Sequence, residues 1–447
     1  MSKALQWGGR FGEPPDPSLL AFGSSLEDDL VLAPFDVRCS QAHVAALAAG
    51  KIVSQAQARE LHQALETLAA EVSSGAFVEY ARASGAEDVH GAIDARVREL
   101  APAAGEMLHA GRSRNDQVAT TLLLYCADRA AHGKQLAAQI VSQLAAFAEE
   151  EFAAGTLLAA TTHWQPAQPV LLAFWLCAAA EPFLRDARRF AHVRELALAS
   201  CPLGSAAVAG SSLPLDRTAS AAALGFAAPS RNAMDAVGNR DVALDLAHAS
   251  VRAAMSASRV CEELVIWCTP NFGYACLDDA ASTGSSLMPQ KRNPDPFELV
   301  RGIAASLIGR FAGALASSSG IALSYHRDLQ IAKGAAIGTI EEALAALDAF
   351  ARALARVQFN RCRMTALAGE GYTVATDAAD ALIAQGKTSR EAHATVGEAI
   401  VAHEQLGTPL DWPDARASVQ GKVTSGSTQP QAVRAMLDSI KRELSEL

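Results

Sequence analysis

Aromatic residues make up only 6% of the 447-residue chain, and alternating runs of Val, Ile, Thr and aromatic side chains are nearly absent. That scarcity argues against a sandwich or barrel of strands. Charged residues reach only 19% against 50% hydrophobic, which excludes global disorder, because so apolar a chain fills a large interior. Positive charge is scarcer than negative: Lys+Arg 38 against Asp+Glu 48 leaves −10, a balance that disfavours nucleic acid and anionic membranes as partners. The eight cysteines contain no Cys-x-x-Cys pair, as expected of reduced intracellular thiols without disulfides. His-Glu-x-x-His, a Cys/His cluster and Gly-x-Ser-x-Gly are all missing, so neither a metal site nor a hydrolase triad is expected. Most of the eleven histidines then read as structural or solvent-facing. Gly386-Lys387-Thr388 resembles the end of a phosphate loop, but Ala381 holds the earlier glycine position and no strand precedes it, which predicts a turn between helices. The N-terminal stretch lacks a basic-then-apolar signal, and the longest uncharged apolar run, Val170 to Ala180, is too short to span a bilayer. The expectation is a cytosolic protein with no membrane partner.

What the sequence has in abundance is Ala, Leu, Glu, Gln and Arg at three- and four-residue spacing, the mark of an almost entirely α-helical chain. Val242, Leu246, Ala249, Ala253, Val260, Leu264 and Trp267 sustain one apolar stripe over about seven helical turns, as in a bundle helix. Similar patterns run over 116–151, 170–199, 297–318 and 334–359, which predicts five long helices in the middle of the chain. Shorter patterns broken by Pro and Gly flank them, and the chain divides into expected domains 1–108, 109–360 and 361–447. Small residues dominate the long faces, as in Gly309-Arg310-Phe311-Ala312-Gly313, so backbones can approach closely and an oligomer is expected. The fold expected is an all-α, three-domain architecture around a five-helix bundle.

Chemistry concentrates where polar, helix-incompatible segments interrupt these patterns. The longest is Gly284-Ser285-Ser286-Leu287-Met288-Pro289-Gln290-Lys291-Arg292-Asn293-Pro294. Two cations follow a mobile glycine-serine stretch, and Asp295, Pro296 and Glu298 predict a helix start with an N-cap aspartate, an N1 proline and a capping-box glutamate. Fixed cations beside a helix N-terminus suit a dicarboxylate.

This string resembles the signature of the fumarase/aspartase superfamily, and Gln290 before Lys291 resembles its argininosuccinate lyase branch. The resemblance runs from Trp7-Gly8-Gly9-Arg10-Phe11 to Ala375-Thr376-Asp377. His109-Ala110-Gly111-Arg112-Ser113-Arg114-Asn115-Asp116-Gln117 is similar to a substrate-binding motif of that family, implying that Arg114 and Asn115 grip carboxylates and polar groups. Thr161-Thr162-His163-Trp164-Gln165-Pro166 resembles another; a histidine in a polar, proline-bounded loop suits a proton donor, and Glu298 matches the residue that pairs with it in the family. Tyr325-His326-Arg327-Asp328-Leu329-Gln330-Ile331-Ala332-Lys333 resembles a fourth, in which Tyr325, Gln330 and Lys333 match substrate-binding positions. Here the chain departs: Ile331-Ala332 replaces an acidic pair and Gly334 replaces Glu, leaving Lys333 with few obvious partners for its charge. Ser25 and Glu87-Asp88-Val89-His90 match further site positions; Ala206 stands for a Gly and Asn239 for an acidic residue.

The resemblance implies an enzyme without cofactor or metal that reversibly cleaves argininosuccinate to arginine and fumarate by β-elimination, in a homotetramer with sites shared between subunits. Ser285 is implied as the base, His163 held by Glu298 as the proton donor, and Lys291 and Asn293, with Ser286 and Thr162, as donors to the developing dianion. Because of the changes around Lys333, a related lyase releasing fumarate from another N-substituted aspartate is the alternative.

Overall fold

The computed structural model describes Glu13 and residues 16–447. The Trp7–Phe11 match therefore lies outside the described residues. Five long helices dominate: α1 (Arg114–Ala154), α2 (Leu172–Ala197), α3 (Asp241–Trp267), α4 (Asp295–Ser317) and α5 (Asp328–Leu354). The apolar stripe of α3 is buried as its spacing requires, from Leu246 through Ala249, Ala253, Val260 and Leu264 to Trp267.

Two departures from periodicity matter for the site. Residues 157–171 form an antiparallel hairpin, β1 (Leu157–Thr162) and β2 (Gln165–Leu171), where the helical pattern was expected to begin at 170. Likewise α5 ends at Leu354 and Val357–Phe359 turns into a short strand, β4, that pairs with β3 (Ala275–Leu277). The hairpin is a local pairing across a two-residue turn and β3–β4 joins strands distant in sequence; in both, the cross-strand pairing specifies the strands, which single-segment periodicity does not register.

The chain divides into two compact units, and every boundary falls inside a long helix: at 134/135, 188/189, 252/253, 304/305 and 344/345. In unit 1, the helix Ala33–Ala49 packs against Gln55–Ser74 and Val89–Leu100, with Leu47, Leu61, Leu65, Leu68, Ile93 and Val97 fully buried. Ser54 and Gln57 close a capping box at the start of Gln55–Ser74, satisfying two backbone donors. In unit 2, Phe350 stacks on Phe183 with ring centroids 5.8 Å apart and meets Phe297 edge-on at 6.3 Å. The Gly386 segment is a turn, and Thr388 caps the helix Ser389–Leu406 in a box with Glu391.

One helix turns much of its apolar surface outward. On α4, Leu299 is 64% exposed, Ile308 49% and Leu315 46%, and Gly302, Gly309 and Gly313 face open space. By length and composition α4 could cross a membrane, a test that bundle helices also pass, and Glu298, Arg301 and Arg310 lie along it.

Gly133 in α1 shows packing overriding propensity. A Cβ there would stand 2.6 Å from the buried Phe190 ring, and three ring atoms would lie within 2.8 Å. Ala normally gains about 1 kcal/mol over Gly in a helix, but overpacking a close-packed site costs about 1–3 kcal/mol. Gly133→Ala should therefore lower the thermal midpoint; an unchanged or higher Tm would show that Phe190 can move aside.

Candidate active site

The sequence-selected residues fall into two sets, one in each unit. In unit 1, Ser25, Gln330 and Lys333 gather around the short helix Leu26–Asp29. The Ser25 hydroxyl donates to Asp29 Oδ2 at 2.6 Å, and the Lys333 ammonium meets Asp29 Oδ1 at 2.5 Å. Lys333 is 4% exposed and Asp29 not at all. The expectation of a lysine short of partners is thus corrected: its carboxylate comes from the N-terminal region instead of from its own segment. The local departures fit this arrangement. Ala332 is buried, where a carboxylate would be desolvated, and a Cβ on residue 334 would stand 2.6 Å from Asp28 Oδ2, so glycine leaves room for that side chain. Gln330 Nε2 and Arg327 Nη2 both donate to the Gly23 carbonyl, at 3.0 and 2.5 Å, and Arg327 also reaches Glu87 at 3.2 Å. These bonds fasten the start of α5 to the segment that carries Ser25. Tyr325 is half-buried just ahead of that helix; burial raises its phenol, against the pull of the nearby Arg240 cation.

Arg114 and Asn115 open α1. Arg114 Nε pairs with Asp88 at 3.0 Å, and Asn115 Nδ2 donates to the Ala207 carbonyl at 3.0 Å. Asp88 in turn caps the helix Val89–Leu100 through the Gly91 N–H at 2.6 Å. Beside them the buried Asp116 accepts from the backbone N–H groups of Ser113, Gly204 and Ala206 at 3.0, 2.9 and 2.8 Å, yet burial raises its carboxyl to about 6. Ala206 holds φ +51, the left-handed region, so alanine at this glycine-type position adopts strained backbone while presenting its N–H to Asp116.

In unit 2, His163 and Trp164 are the two central residues of the β1–β2 turn, with φ of +53 and +59. That is the primed hairpin geometry, usually filled by Asn-Gly, here held by two bulky residues. The hairpin is anchored at its base, where Leu157 N–H donates to Thr365 and Leu171 N–H to Thr428. Thr162 and His163 are exposed at its tip. The signature string forms a closed loop: Thr283 and Asn293 exchange backbone hydrogen bonds at 3.2 and 2.9 Å, and Arg292 braces the base on the Leu277 carbonyl and Asp279. Ser286 and Lys291 project from it into solvent. The Ser285 oxygen accepts from the Leu287 and Met288 N–H groups at 3.3 and 3.0 Å. Two donors aimed at a hydroxyl oxygen stabilise its deprotonated form, a device invisible in the sequence.

The helix start also differs from expectation. Asp295 is the first residue of α4 and Pro296 the second, and the Asp295 carboxylate takes the Thr283 hydroxyl; the Pro294 carbonyl accepts from Phe297 and Glu298 N–H. Glu298 is exposed, and among the described residues no hydrogen bond joins it to His163.

Sequence reasoning missed Asp29, Asp36 and Gln117, all fully buried. Asp36 accepts from His90 Nδ1 at 2.9 Å and from Gln117 Nε2 at 2.8 and 2.9 Å. Burial alone would raise the Asp36 carboxyl, but His90 and Arg112 hold it well below the usual range. Gln117 closes the motif that begins at His109, but the resemblance assigns roles there only to Arg114 and Asn115; Asp29 and Asp36 lie outside the motifs.

A protein-family model described as "Lyase" matches residues 9–309. Argininosuccinate lyase of Clavibacter sepedonicus is 40% identical over 455 residues, covering 98% of this chain and 91% of that protein. The argininosuccinate lyase of Anaeromyxobacter sp. (strain K) is 42% identical over 451 residues, covering 96% and 95%. Among solved structures, EDDS lyase in complex with formate aligns with a TM-score of 0.79 at 22% identity, over 100% of this chain and 92% of that one. A fumarate lyase from Mesorhizobium sp. BNC1 aligns at 0.70 and 18%, over 98% of each. The structural likenesses establish the shared all-α fold.

The buried base of the Arg112–Arg114 segment makes stability depend on pH. His43 donates from Nε2 to the Ala110 carbonyl at 2.9 Å, and burial with the Arg112 cation lowers its imidazole to about 3; His109 is lowered to about 4 for the same reasons. Both stay neutral when folded and take up protons when unfolded below about pH 6.5, so stability falls on acidification from there to about pH 4, by about 1.4 kcal/mol per pH unit for each proton. The raised Asp116 acts with the opposite sign between about pH 4 and 6. His43→Gln, which keeps a donor for Ala110, should flatten the urea-midpoint slope between pH 4.5 and 6.5 by about one proton; an unchanged slope would mean that His43 does not carry it.

Proposed function

The chain belongs to the argininosuccinate lyase family, and on that premise we propose that it cleaves argininosuccinate reversibly to L-arginine and fumarate. The observation that carries the reading is the closed loop 283–293, which holds Ser285 on two backbone donors while Ser286 and Lys291 project from the same loop and Asn293 pins its base.

A base must remove a weakly acidic proton from the carbon next to a substrate carboxylate. The electron pair spreads into that carboxylate as a dianion, the C–N bond breaks, and the leaving guanidine nitrogen takes up a proton. Ser285 is the base in this reading, its oxygen lowered in basicity by the Leu287 and Met288 N–H groups. Lys291 and Asn293, with Ser286 and Thr162, stabilise the dianion, and His163 protonates the leaving nitrogen; its pairing with Glu298, which no hydrogen bond makes among the described residues of one copy, is assigned to the contact between copies. Arg114, Asn115, Ser25, Tyr325, Gln330 and Lys333 orient the rest of the substrate. No metal or cofactor takes part, and the three-domain division 1–108, 109–360 and 361–447 belongs to the same reading.

The assembly is a homotetramer with composite sites. Two observations support it: the outward apolar face of α4 with its open glycines, and the exposure of His163, Glu298 and Lys291, which a water-excluding site must cover. The exposed face is then an interface between copies, not a membrane or nucleic-acid surface. Cytosolic placement is supported by the eight cysteines, all free thiols.

Ser285→Ala should abolish turnover and leave Tm and assembly intact, since a half-buried loop hydroxyl contributes little packing. A kcat above about a tenth of wild type, a barrier change under about 1.4 kcal/mol, would remove Ser285 as the base. Composite sites predict that two inactive variants, His163→Asn and Lys291→Ala, recover partial activity when dissociated and reassembled together; no recovery from a mixed tetramer would place both residues in one subunit's site.

A further inference from the structure

Arg114 is gripped on two different nitrogens: Nε pairs with Asp88 at 3.0 Å, and Nη1 donates to Gln117 Oε1 at 2.7 Å. Two contacts on separate nitrogens fix both the position and the plane of a guanidinium. The second contact is itself determined from below. Gln117 is fully buried and gives its Nε2 to both oxygens of Asp36, at 2.8 and 2.9 Å. A carboxylate only accepts, so the amide must turn its NH2 to Asp36 and its carbonyl to Arg114; the opposite rotamer would set oxygen against oxygen and N–H against N–H. Asp36 is fixed in turn by the His90 Nδ1–H at 2.9 Å.

We infer that Gln117, oriented by Asp36, is a positioning residue that sets the guanidinium plane of Arg114 for a substrate carboxylate. The inference rests on the reading above, in which Arg114 binds substrate. A bidentate guanidinium–carboxylate contact depends on coplanarity, so a tilt of the fork weakens binding without removing the charge. Gln117 touches no substrate; it acts through Arg114.

The test combines steady-state kinetics on argininosuccinate with inhibition by succinate, a dicarboxylate probe that undergoes no elimination. Gln117→Met, which keeps volume and removes both hydrogen bonds, should raise KM and the succinate inhibition constant together by about tenfold, with kcat within about threefold. Arg114→Met should raise both constants further, and adding Gln117→Met to it should change nothing more, because there is no guanidinium left to orient. The decisive variant reverses the lower hydrogen bond: in Asp36→Asn with Gln117→Glu, the new amide accepts from His90 and donates to the new carboxylate, which still accepts from Arg114. This pair should restore KM to within about threefold of wild type. Independent, multiplying effects of Gln117→Met and Arg114→Met, or a swap variant that folds and assembles but stays as weak as Gln117→Met, would overturn the positioning role and leave only a structural one. If Arg114→Met itself leaves KM and succinate inhibition unchanged, the reading of Arg114 as the carboxylate ligand is what fails. Should Gln117→Met fail to fold, the swap variant alone decides.

Discussion

An ammonium group cannot be buried without a negative partner, and the placement of Lys333 answers to that constraint. Leaving one charge of such a pair alone in the interior costs about 3–5 kcal/mol. The start of α5 is therefore tied to the segment that supplies Asp29, and Asp29 is tied to Ser25 by the same carboxylate. Gly23, accepting from Arg327 and Gln330, fastens the two segments a second time. The ion pair and the Gly23 carbonyl together thus gather three of the side chains that the proposed chemistry needs in unit 1, Lys333, Ser25 and Gln330.

The same logic repeats beneath Arg114. Asp36, Asp88 and Asp116 are each enclosed, and each is matched by donors: His90 and Gln117, Arg114 and Gly91 N–H, and three backbone N–H groups. Buried polar groups that are fully hydrogen-bonded hold a single arrangement. Unit 2 presents the opposite character. His163, Ser286, Lys291 and Glu298 sit in the open: His163 on the hairpin tip, Ser286 and Lys291 on the closed loop, and Glu298 in the first turn of α4. In the proposed tetramer, these exposed groups of unit 2 are the ones that association would cover.

The five long helices were legible because their apolar spacing repeats locally, as in the stripe from Leu246 to Trp267. The hairpin under His163 was not: its strands carry no alternation, and what specifies it is an antiparallel pairing anchored through Thr365 and Thr428. The signature loop could be found from its string of glycine, serines and cations, and the structure added what holds it shut, the Thr283–Asn293 exchange. Lys333 is legible in its own segment but its partner is not, because the Asp29 carboxylate comes from a distant part of the sequence. Gln117 ends the motif that begins at His109 without a role of its own there, and Asp36 lies outside the motifs, where a polar residue on a helical face is ordinarily solvated.

Comparing fumarate release from three substrates tests the functional claim most directly. The ultraviolet absorbance of fumarate is followed after adding argininosuccinate, adenylosuccinate or aspartate to the assembled protein. Prompt fumarate formation from argininosuccinate, with L-arginine in equal amount and no turnover of the other two, is the result predicted. Fumarate from adenylosuccinate or aspartate but not from argininosuccinate would contradict it and place the chain with a sister C–N lyase.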